Sequence, residues 1–408
     1  PPAAPSSPPA LADAVAAGLN PAAVTGVLRV LLVDDQMIIG VAVQRMLAPE
    51  KDIQYRYVSD PTKALDAAKE FHPTVILSDL VMPQMDGLEL VSRFRSDPAT
   101  ERIPLIVLSS KEEPATKAEA FKRGANDYMV KLPDSLEVLA RVRYHSNGYL
   151  GMLQRDAAYD ALRKSQQLLA EDIKEAAHYV ESLLPEPLAE RVHATWKFIP
   201  SASLGGDAFG YHWLDQDTFV VYLLDVAGHG VGAALLGVSV LNVLRARSLQ
   251  DTDFADPGQV MARLNDAFRM QDHGGKYFTI WYGVYKPSTR TLRWSGGGHP
   301  AALLFAQGQP MAELPSAGPM PGVMEGLPYG TRELAVAPGA RLLVFSDGLY
   351  ELRVRGGEVL GMGDLLGDLE PAVAGGAEPL AASVQRAERL CGTTGYADDV
   401  SVVQVAFP

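Results

Sequence analysis

Cysteine is nearly absent from this chain, whose 408 residues include a single one, Cys391. An internal disulfide framework is therefore excluded, and we expect a cytoplasmic protein in a reducing environment. Long apolar runs are missing as well. The longest of them, such as residues 233–244, fall well short of the roughly 18 residues that indicate a membrane helix, so we expect no membrane partner.

Positive charge is also scarce. The sequence contains 36 Lys and Arg residues against 49 Asp and Glu residues, which gives a formal net charge of −13. Because a surface that binds nucleic acid needs a clustered excess of positive charge, we expect no nucleic-acid partner. The acidic residues are more informative, since several of them stand at the ends of predicted strands.

The length of the chain predicts two or three domains, each large enough for a core of its own. Residues 1–26 are rich in Pro, Ala and Ser, a composition typical of a disordered arm, and they lack the charged and apolar regions of a signal peptide. The pattern then changes twice. We predict one domain over residues 27–145, a helical linker over 146–190 and a second domain over 191–408.

Short apolar strands alternate with helical patterns in the first domain. This alternation predicts an α/β fold, a doubly wound parallel sheet of five strands with helices on both faces. Polar side chains stand at four predicted strand ends, namely Asp34 with Asp35, Asp79, Ser109 and Lys131. One such acid alone is most simply a helix cap. Three carboxylates meeting at one sheet edge repel one another unless a hard cation such as Mg²⁺ joins them, and a hydroxyl and a lysine suit phosphoryl oxygens.

This ordered set resembles the response-regulator receiver domain. The resemblance implies that Asp79 accepts a phosphoryl group from a histidine kinase or a phosphotransfer protein. It also implies a Mg²⁺ ion whose ligands are Asp34, Asp35, Asp79 and the carbonyl of Val81. Ser109 and Lys131 would contact the phosphoryl group, and Tyr128 matches the aromatic switch position of the family. The sequence departs from the family by one inserted residue, Leu132, after the lysine.

A heptad pattern marks the predicted linker, with one long helix from about residue 146 to 184. Its a positions are Gln166, Ile173 and Val180, and its d positions are Leu162, Leu169, Ala176 and Leu183. This repeat favours a parallel coiled coil and therefore a homodimer through the linker helix, although an amphipathic helix packed on a neighbouring domain has the same pattern. The prolines of the segment LLPEPL end the helix.

From about residue 191 the pattern changes to strands of alternating polarity, glycine-rich turns and a few helices. This mixture predicts an α+β fold, a β-sandwich flanked by helices. Four acidic motifs adjoin predicted strands: LGGDAFG, LLDVAGHG, VFSDG and YADDVS. Their acidic residues are Asp207, Asp225, Asp347, Asp398 and Asp399. Each motif alone is explained equally well as a turn or a cap, but Asp225 ends a buried strand, where a carboxylate is costly without a partner.

Together the acidic motifs indicate a metal site. The residues suited to zinc, grouped His and Cys, are absent, whereas oxygen ligands suit Mg²⁺ or Mn²⁺. Two such cations bridged by one carboxylate can generate a nucleophilic hydroxide and clamp a phosphate. The ordered motifs resemble the PPM-type metal-dependent serine/threonine phosphatases, and most of all their bacterial sporulation and stress-response branch. The segments AAHYVESLLPEP and WSGGGHPAALLF look like parts of that branch as well.

The resemblance implies that Asp225 bridges two Mn²⁺ or Mg²⁺ ions. The other ligands would be Asp207 and the Val226 carbonyl at one ion, and Asp347 and Asp398 at the other, with Asp399 the less favoured partner. The resemblance further implies a response regulator whose receiver domain controls the phosphatase. Its substrate would be a phosphorylated protein, an anti-sigma-factor antagonist of the small STAS type.

Two histidines and one similar motif leave alternatives open. His229 either donates a proton to the leaving oxygen or is a helix-start residue hydrogen-bonded to backbone, and we expect His299 to be a turn residue. The segment GGDAF differs by one residue from the GGDEF signature of diguanylate cyclases, but Ala208 replaces the acid and the later aspartates have no place in that fold. A phosphorylation-controlled binding protein with an inactive phosphatase fold is the remaining alternative.

Overall fold

The computed structural model describes residues 26–110, 113–131, 133–201, 204–354, 358–391 and 395–408. The predicted arm, apart from its last residue, and the inserted Leu132 therefore lie outside the described residues. The chain divides into two compact units between Gln166 and Gln167, within the predicted linker. The domain boundaries at residues 145 and 191 themselves stay predictions.

A parallel sheet of five strands forms the centre of the first unit, in the order β2-β1-β3-β6-β7. The strands are β1 (Leu28–Val33), β2 (Ile53–Val58), β3 (Val75–Asp79), β6 (Leu105–Ser109) and β7 (Asp127–Val130), with a short ribbon of β4 (Val81–Met82) and β5 (Met85–Asp86) after β3. Strands β3 and β6 are buried along their whole length, as expected of parallel strands that helices cover on both faces.

Helices cover both faces of this sheet. They are α1 (Met37–Leu47), α2 (Ala64–Phe71), α3 (Gly87–Ser96), α4 (Pro114–Lys122) and the beginning of α5 (Ser135–Ser182). One buried cluster contains residues of α1 and α5, and a second cluster contains residues of α2, α3 and α4. The predicted doubly wound fold is thereby confirmed, and the carboxyl ends of its strands meet at one edge.

Helix α5 differs from the predicted linker helix at both ends. It is 48 residues long and starts at Ser135, because the last helix of the first unit continues into the linker without a break. It ends at Ser182, so Leu183, which we predicted at a d position, lies beyond it and packs against the core of the second unit. Several large apolar side chains of α5 are more than half exposed, namely Tyr159, Leu162, Leu168, Leu169 and Tyr179.

Two sheets form the second unit. The first has the order β10-β11-β12-β13-β16 and the second the order β15-β14-β17-β18-β9-β8. Their strands are β8 (Leu188–Ala189), β9 (His193–Ile199), β10 (Ala208–Asp215), β11 (Thr218–Val226), β12 (Phe278–Lys286), β13 (Thr291–Gly297), β14 (Ala302–Phe305), β15 (Ala312–Leu314), β16 (Arg332–Ala335), β17 (Arg341–Phe345) and β18 (Val400–Ala406). Strand β8 pairs with β9, so the last residues of the predicted linker belong to this second sheet.

Apolar side chains from both sheets form one core between them, with Phe209 and Trp281 from the first sheet and Leu342 and Val403 from the second. Helices α6 (Val231–Ala246) and α7 (Pro257–Ala267) pack with residues of the first sheet, and α8 (Met362–Ala374) and α9 (Pro379–Cys391) pack with residues of the second. The predicted α+β sandwich with flanking helices is confirmed. Within the described ranges, none of the helices combines the length and apolar character that a membrane span requires.

Candidate functional sites

A buried lysine–carboxylate cluster lies at the carboxyl edge of the parallel sheet. Asp34 follows β1, Asp79 ends β3 and Lys131 follows β7, and both carboxylates are buried. The Nζ atom of Lys131 is 2.8 Å from Oδ2 of Asp34 and 2.7 Å from Oδ2 of Asp79. Burial lowers the pKa of Lys131, but its hydrogen bonds to the two carboxylates outweigh this and the pKa is raised overall. The ammonium group of Lys131 therefore forms ion pairs with two carboxylates.

Asp35 completes a set of three acids. Its carboxylate and those of Asp34 and Asp79 each offer an oxygen, and these three oxygens all lie within 4.8 Å of one another. Burial raises the pKa of Asp34 despite the hydrogen bond from Lys131, and the Oδ1 atom of Asp35 is buried without a hydrogen-bond partner among the described residues. Carboxylate oxygens are the ligands that Mg²⁺ prefers, so this donor set fits the ion.

Of the remaining predicted groups of the first unit, Ser109 and Val81 adjoin this cluster, whereas Tyr128 lies within β7. The amide of Lys131 donates to the carbonyl of Ser109 at 2.7 Å, which joins the ends of β6 and β7. The amide of Val81 lies 3.4 Å from Oδ1 of Asp79. Tyr128 is buried within β7, and the Nζ atom of Lys117 lies 5.8 Å from the centre of its ring. The tertiary structure thus gathers the predicted receiver residues at one edge of the sheet.

The acidic motifs of the second unit come from both of its sheets. Asp207 directly precedes β10 and Asp225 lies near the end of β11, in the first sheet. Asp347 follows β17, and Asp398 stands two residues before β18, in the second sheet. These motifs lie close together, because the charges of Asp347 and Asp398 raise the pKa of Asp225. The four motifs therefore meet at one end of the sandwich.

Burial and mutual repulsion act strongly on these carboxyls. Burial and the neighbouring charge of Asp225 raise the pKa of Asp207 well above its ordinary value. Burial, followed by the charges of Asp347 and Asp398, raises the pKa of Asp225 to about 7. Burial and the charge of Asp398 raise that of Asp347 to about 6. Such a group of acids is stabilised by cations, which neutralise it.

The donor set of the second unit fits divalent cations. The Oδ2 atom of Asp207 is buried and, in the described part of the chain, has no hydrogen-bond partner. No three of the described carboxylates of this unit offer oxygens within 4.8 Å of one another. Two ions in such a site lie about 3.5–4 Å apart. Ligands on opposite sides of the pair are therefore farther from one another than the ligands of a single ion. Carboxylate and carbonyl oxygens without sulfur suit Mg²⁺ or Mn²⁺.

Glycines allow the backbone to come close at this site. A Cβ atom on Gly206 would lie 2.8 Å from the carbonyl oxygen of Val226, and one on Gly348 would lie 2.1 Å from the carbonyl oxygen of Asp399. Any other residue type would push these segments apart. Steric crowding thus explains the glycines in the motifs GGD and SDG. They let the loops of Asp207 and Asp347 pack against the segments that carry the other acids.

Asp398 and Asp399 have different surroundings. The carboxylate of Asp399 is buried, and it accepts hydrogen bonds from the amide of Ser201 at 2.8 Å, from its hydroxyl at 3.0 Å and from the amide of Gly206 at 2.6 Å. Both of its oxygens are therefore engaged in holding the loop that precedes Asp207. Asp398 is exposed, and its Oδ1 atom accepts from the amide of Asp399 at 2.8 Å.

Sequence reasoning missed Ser201 and Ser346. The hydroxyl of Ser346 donates to the carbonyl of Asp399 and accepts from the amide of Ser401, both at 3.0 Å, so it ties β17 to the start of β18 below the acidic site. Serines in loops and at strand ends are too common for the sequence alone to single out these two.

The two histidines have contrasting environments. His229 is exposed, between Gly228 and Gly230, which have φ angles of 88° and 86° and precede α6. His299 lies in the connection between β13 and β14, and its side chain faces the interior of the domain. That side chain is buried, and its Nδ1 atom is 2.8 Å from Oγ1 of Thr279.

The parallel sheet with its lysine–carboxylate cluster and the two-sheet sandwich with its acidic end define a receiver domain followed by a phosphatase domain of the PP2C type. Residues 30–143 match the family described as "Response regulator receiver domain", and residues 215–408 match the family described as "Stage II sporulation protein E (SpoIIE)". The chain thus combines a response-regulator receiver domain with a SpoIIE-type PP2C phosphatase domain.

Relatives match one half of the chain or the other. Phosphoserine phosphatase RsbP of Bacillus subtilis is 28% identical over 173 residues, which is 41% of this chain and 42% of RsbP. The gliding motility regulatory protein of Myxococcus xanthus is 38% identical over 114 residues, 28% of this chain and 14% of that protein. This chain therefore spans less than half the length of either relative.

One solved structure resembles the second half of the chain in fold. The SiaA-PP2C domain of Pseudomonas aeruginosa superposes with a TM-score of 0.52 at 21% sequence identity, and the match covers 60% of this chain and 99% of that domain. At this identity the likeness concerns the fold alone.

Proposed function

We propose that this protein is a two-component response regulator in which phosphorylation of Asp79 controls a Mn²⁺- or Mg²⁺-dependent serine/threonine protein phosphatase. The observation that carries the proposal is the meeting of Asp207 and Asp225 with Asp347 and Asp398 from the opposite sheet, with an unpartnered, buried oxygen on Asp207. An enzymatically inactive fold has no need to maintain this repulsion between neighbouring acids.

In the receiver domain, Asp79 is the phosphoacceptor. Its carboxylate oxygen forms a bond to the phosphorus of a phosphohistidine on the kinase or phosphotransfer protein, and the bond between nitrogen and phosphorus breaks. Lys131, 2.7 Å from Asp79, pairs with the charge that the phosphoryl group adds, and Ser109 offers a hydroxyl from the neighbouring strand. Asp34, Asp35, Asp79 and the carbonyl of Val81 would hold the Mg²⁺ ion.

In the phosphatase domain, Asp225 would be the ligand shared by two cations. Asp207 and the carbonyl of Val226 would hold one ion, and Asp347 and Asp398 would hold the other. The bound cations supply activation of water and neutralisation of phosphate charge. Asp399 holds the loop of Asp207 through its hydrogen bonds to Ser201 and Gly206, so we propose Asp398 as the metal ligand.

His229 is the group we propose as general acid toward the leaving serine or threonine oxygen. It is exposed, it follows the strand of Asp225 by a few residues, and imidazole is the side chain that most often serves as a general acid. The His229→Asn variant should lose about 10²-fold or more in kcat on a phosphoprotein. It should retain activity on p-nitrophenyl phosphate, whose leaving group needs no proton. Equal losses on both substrates would contradict this role.

The substrate we propose is a protein that carries phosphoserine or phosphothreonine. The printed name of the relative RsbP, a phosphoserine phosphatase, supports this class. The resemblance of the acidic motifs to the stress-response branch supports an anti-sigma-factor antagonist of the STAS type as the specific partner.

Control by the receiver is proposed to act through a homodimer of helix α5. Exposed Leu162 and Leu169 lie at d positions of the heptad repeat, and Gln166 at an a position would set the register. A four-residue insertion after Gln167 rotates the following helix by about 40° and breaks the repeat. Both separate activities should persist, while the response of hydrolysis to acetyl phosphate or beryllofluoride disappears. An unchanged response, or a monomeric phosphorylated protein, would contradict this mechanism.

Release of phosphate from a phosphoserine protein, measured with and without Mn²⁺, tests the catalytic proposal directly. The Asp225→Asn variant should lose several orders of magnitude in rate because both cations lose a shared ligand. The Asp251→Asn variant, at an exposed aspartate, is the matched control and should keep the wild-type rate. Near-normal activity of Asp225→Asn would overturn the metal assignment, and a wild-type protein without Mn²⁺-dependent hydrolysis would favour the inactive binding protein.

A further inference from the structure

His299 occupies the crossover between the two sheets of the phosphatase domain. It follows β13 of the first sheet and precedes β14 of the second, and its side chain is only 5% exposed. The preceding Gly298 has a φ angle of 66°, and a Cβ atom there would lie 2.4 Å from Cγ of Met320. The chain can enter His299 along this path only with glycine, so the position of the imidazole is tightly constrained.

One imidazole nitrogen contacts the strand beside Asp225. The Nδ1 atom of His299 is 2.8 Å from Oγ1 of Thr279 in β12. Thr279 is the antiparallel partner of Asp225 in β11, and directly opposed residues of an antiparallel pair project their side chains from the same face of the sheet. The hydroxyl of Thr279, which contacts His299, therefore belongs to the residue directly opposite Asp225 in the sheet.

The backbone of the second sheet also acts on the imidazole ring of His299. The Nε2 atom is buried, and within the described ranges no group meets it at hydrogen-bond geometry. The backbone of Phe345, the last residue of β17 and two residues before Asp347, is nevertheless close enough to act on the ring. Burial lowers the pKa of His299 to about 3, so the ring is neutral near pH 7, with one nitrogen as donor and the other as acceptor.

We propose that His299 is a positioning residue, which through Thr279 on one side and the end of β17 on the other sets the spacing between Asp225 and Asp347. This inference rests on the proposed function in one respect, that Asp225 and Asp347 are metal ligands. Groups that orient the ligands of a metal typically change its affinity by about 10- to 100-fold when they are removed. His299 acts on the cations only through these neighbours, because it ligates neither of them.

Binding of Mn²⁺ to the full-length protein without substrate tests the inference, with free Mn²⁺ followed by electron paramagnetic resonance. Every protein carries Asp35→Asn, which removes a ligand of the proposed receiver site, so that the titration reports the phosphatase domain, and the protein with this change alone is the wild-type reference. Thr279→Val removes the hydroxyl at nearly constant shape, and Thr279→Ser keeps it. We expect a Kd for Mn²⁺ that is about 10-fold higher in Thr279→Val and His299→Leu. In Thr279→Ser, and in His299→Asn, whose amide replaces Nδ1, the Kd for Mn²⁺ should stay within about threefold of the wild-type value.

Melting temperatures of the metal-free variants separate positioning from folding. Lower melting temperatures with a wild-type Kd for Mn²⁺ would overturn the inference, because His299 would then only stabilise the fold. An equal rise of Kd in Thr279→Ser and Thr279→Val would overturn it too. A wild-type protein that binds Mn²⁺ without hydrolysing any phosphoprotein refutes the proposed function but leaves this inference intact, whereas a wild type that binds no Mn²⁺ refutes both.

Discussion

The Asp225→Asn substitution should stabilise the metal-free protein while it abolishes catalysis. Burial and the charges of Asp347 and Asp398 raise the pKa of Asp225 from 3.8 to about 7, so the folded state disfavours the ionised carboxylate. Asn has nearly the same shape and no charge. The substitution therefore removes a repulsion that the metal-free fold must otherwise tolerate.

The sign of the effect follows from proton linkage. Because the pKa of Asp225 is higher in the folded state than in the unfolded state, the folded state binds more protons between pH 3.8 and about 7. The free energy of unfolding of the wild type therefore falls as the pH rises through this window. A shift of about three pH units corresponds to about 4 kcal/mol, an upper figure because the neighbouring acids titrate together.

Urea denaturation in excess EDTA, at pH 5 and at pH 8, measures this prediction. At pH 5 the carboxyl is protonated in the folded state but already ionised in the unfolded state, so only about a third of the effect is present. The hydrogen bonds that an amide forms less well offset most of that part, and Asp225→Asn should change the free energy of unfolding little. At pH 8 the variant should be more stable than the wild type by about 1–3 kcal/mol, the electrostatic gain less the hydrogen bonds that an amide forms less well. Saturating Mn²⁺ should reverse the order, since the wild type gains more from binding. Destabilisation by the same amount at both pH values would refute the reasoning.

Five further substitutions test other parts of the structure. Asp399→Ala leaves the buried amide of Gly206 without its partner and should lower the free energy of unfolding by about 3 kcal/mol. Asp398→Ala, at an exposed residue, should weaken Mn²⁺ binding but change the free energy of unfolding in urea by less than about 0.5 kcal/mol. Lys131→Met leaves two buried carboxylates unpaired and should cost about 3 kcal/mol. Added Mg²⁺ should recover most of the lost melting temperature, and an equal loss with and without Mg²⁺ would argue against the cation site. Gly348→Ala brings a Cβ atom within 2.1 Å of a backbone oxygen and should lower the melting temperature by several degrees, while Gly363→Ala in α8, with open space around it, should be neutral or stabilising.

The fold class of both halves could be predicted from the sequence because it depends on local periodicity. Alternating strands and helices predicted the parallel sheet, and strands of alternating polarity with glycine-rich turns predicted the sandwich. The acids of the candidate sites were also visible, since each stands at a strand end in a short motif, and parallel strands necessarily bring Asp34, Asp79 and Lys131 to one edge.

The ends of the linker helix could not be predicted in the same way. Helix α5 begins at Ser135 because the last helix of the receiver domain continues into the linker, and no cap or breaker in the sequence marks the passage. Leu183 fits the heptad repeat, but it packs against the core of the second unit. Periodicity alone does not reveal which of two apolar surfaces a leucine joins.

Tertiary structure alone distinguished the roles of adjacent, chemically identical acids. Asp398 and Asp399 differ only in their neighbours, and those neighbours, Ser201 and Gly206, are almost 200 residues away in the chain. The same holds for His299, which a glycine-rich segment marks as a turn but which the closure of two sheets buries against Thr279. Hydrogen bonds between segments so distant in sequence leave no local pattern, because either partner would be an ordinary loop residue without the other.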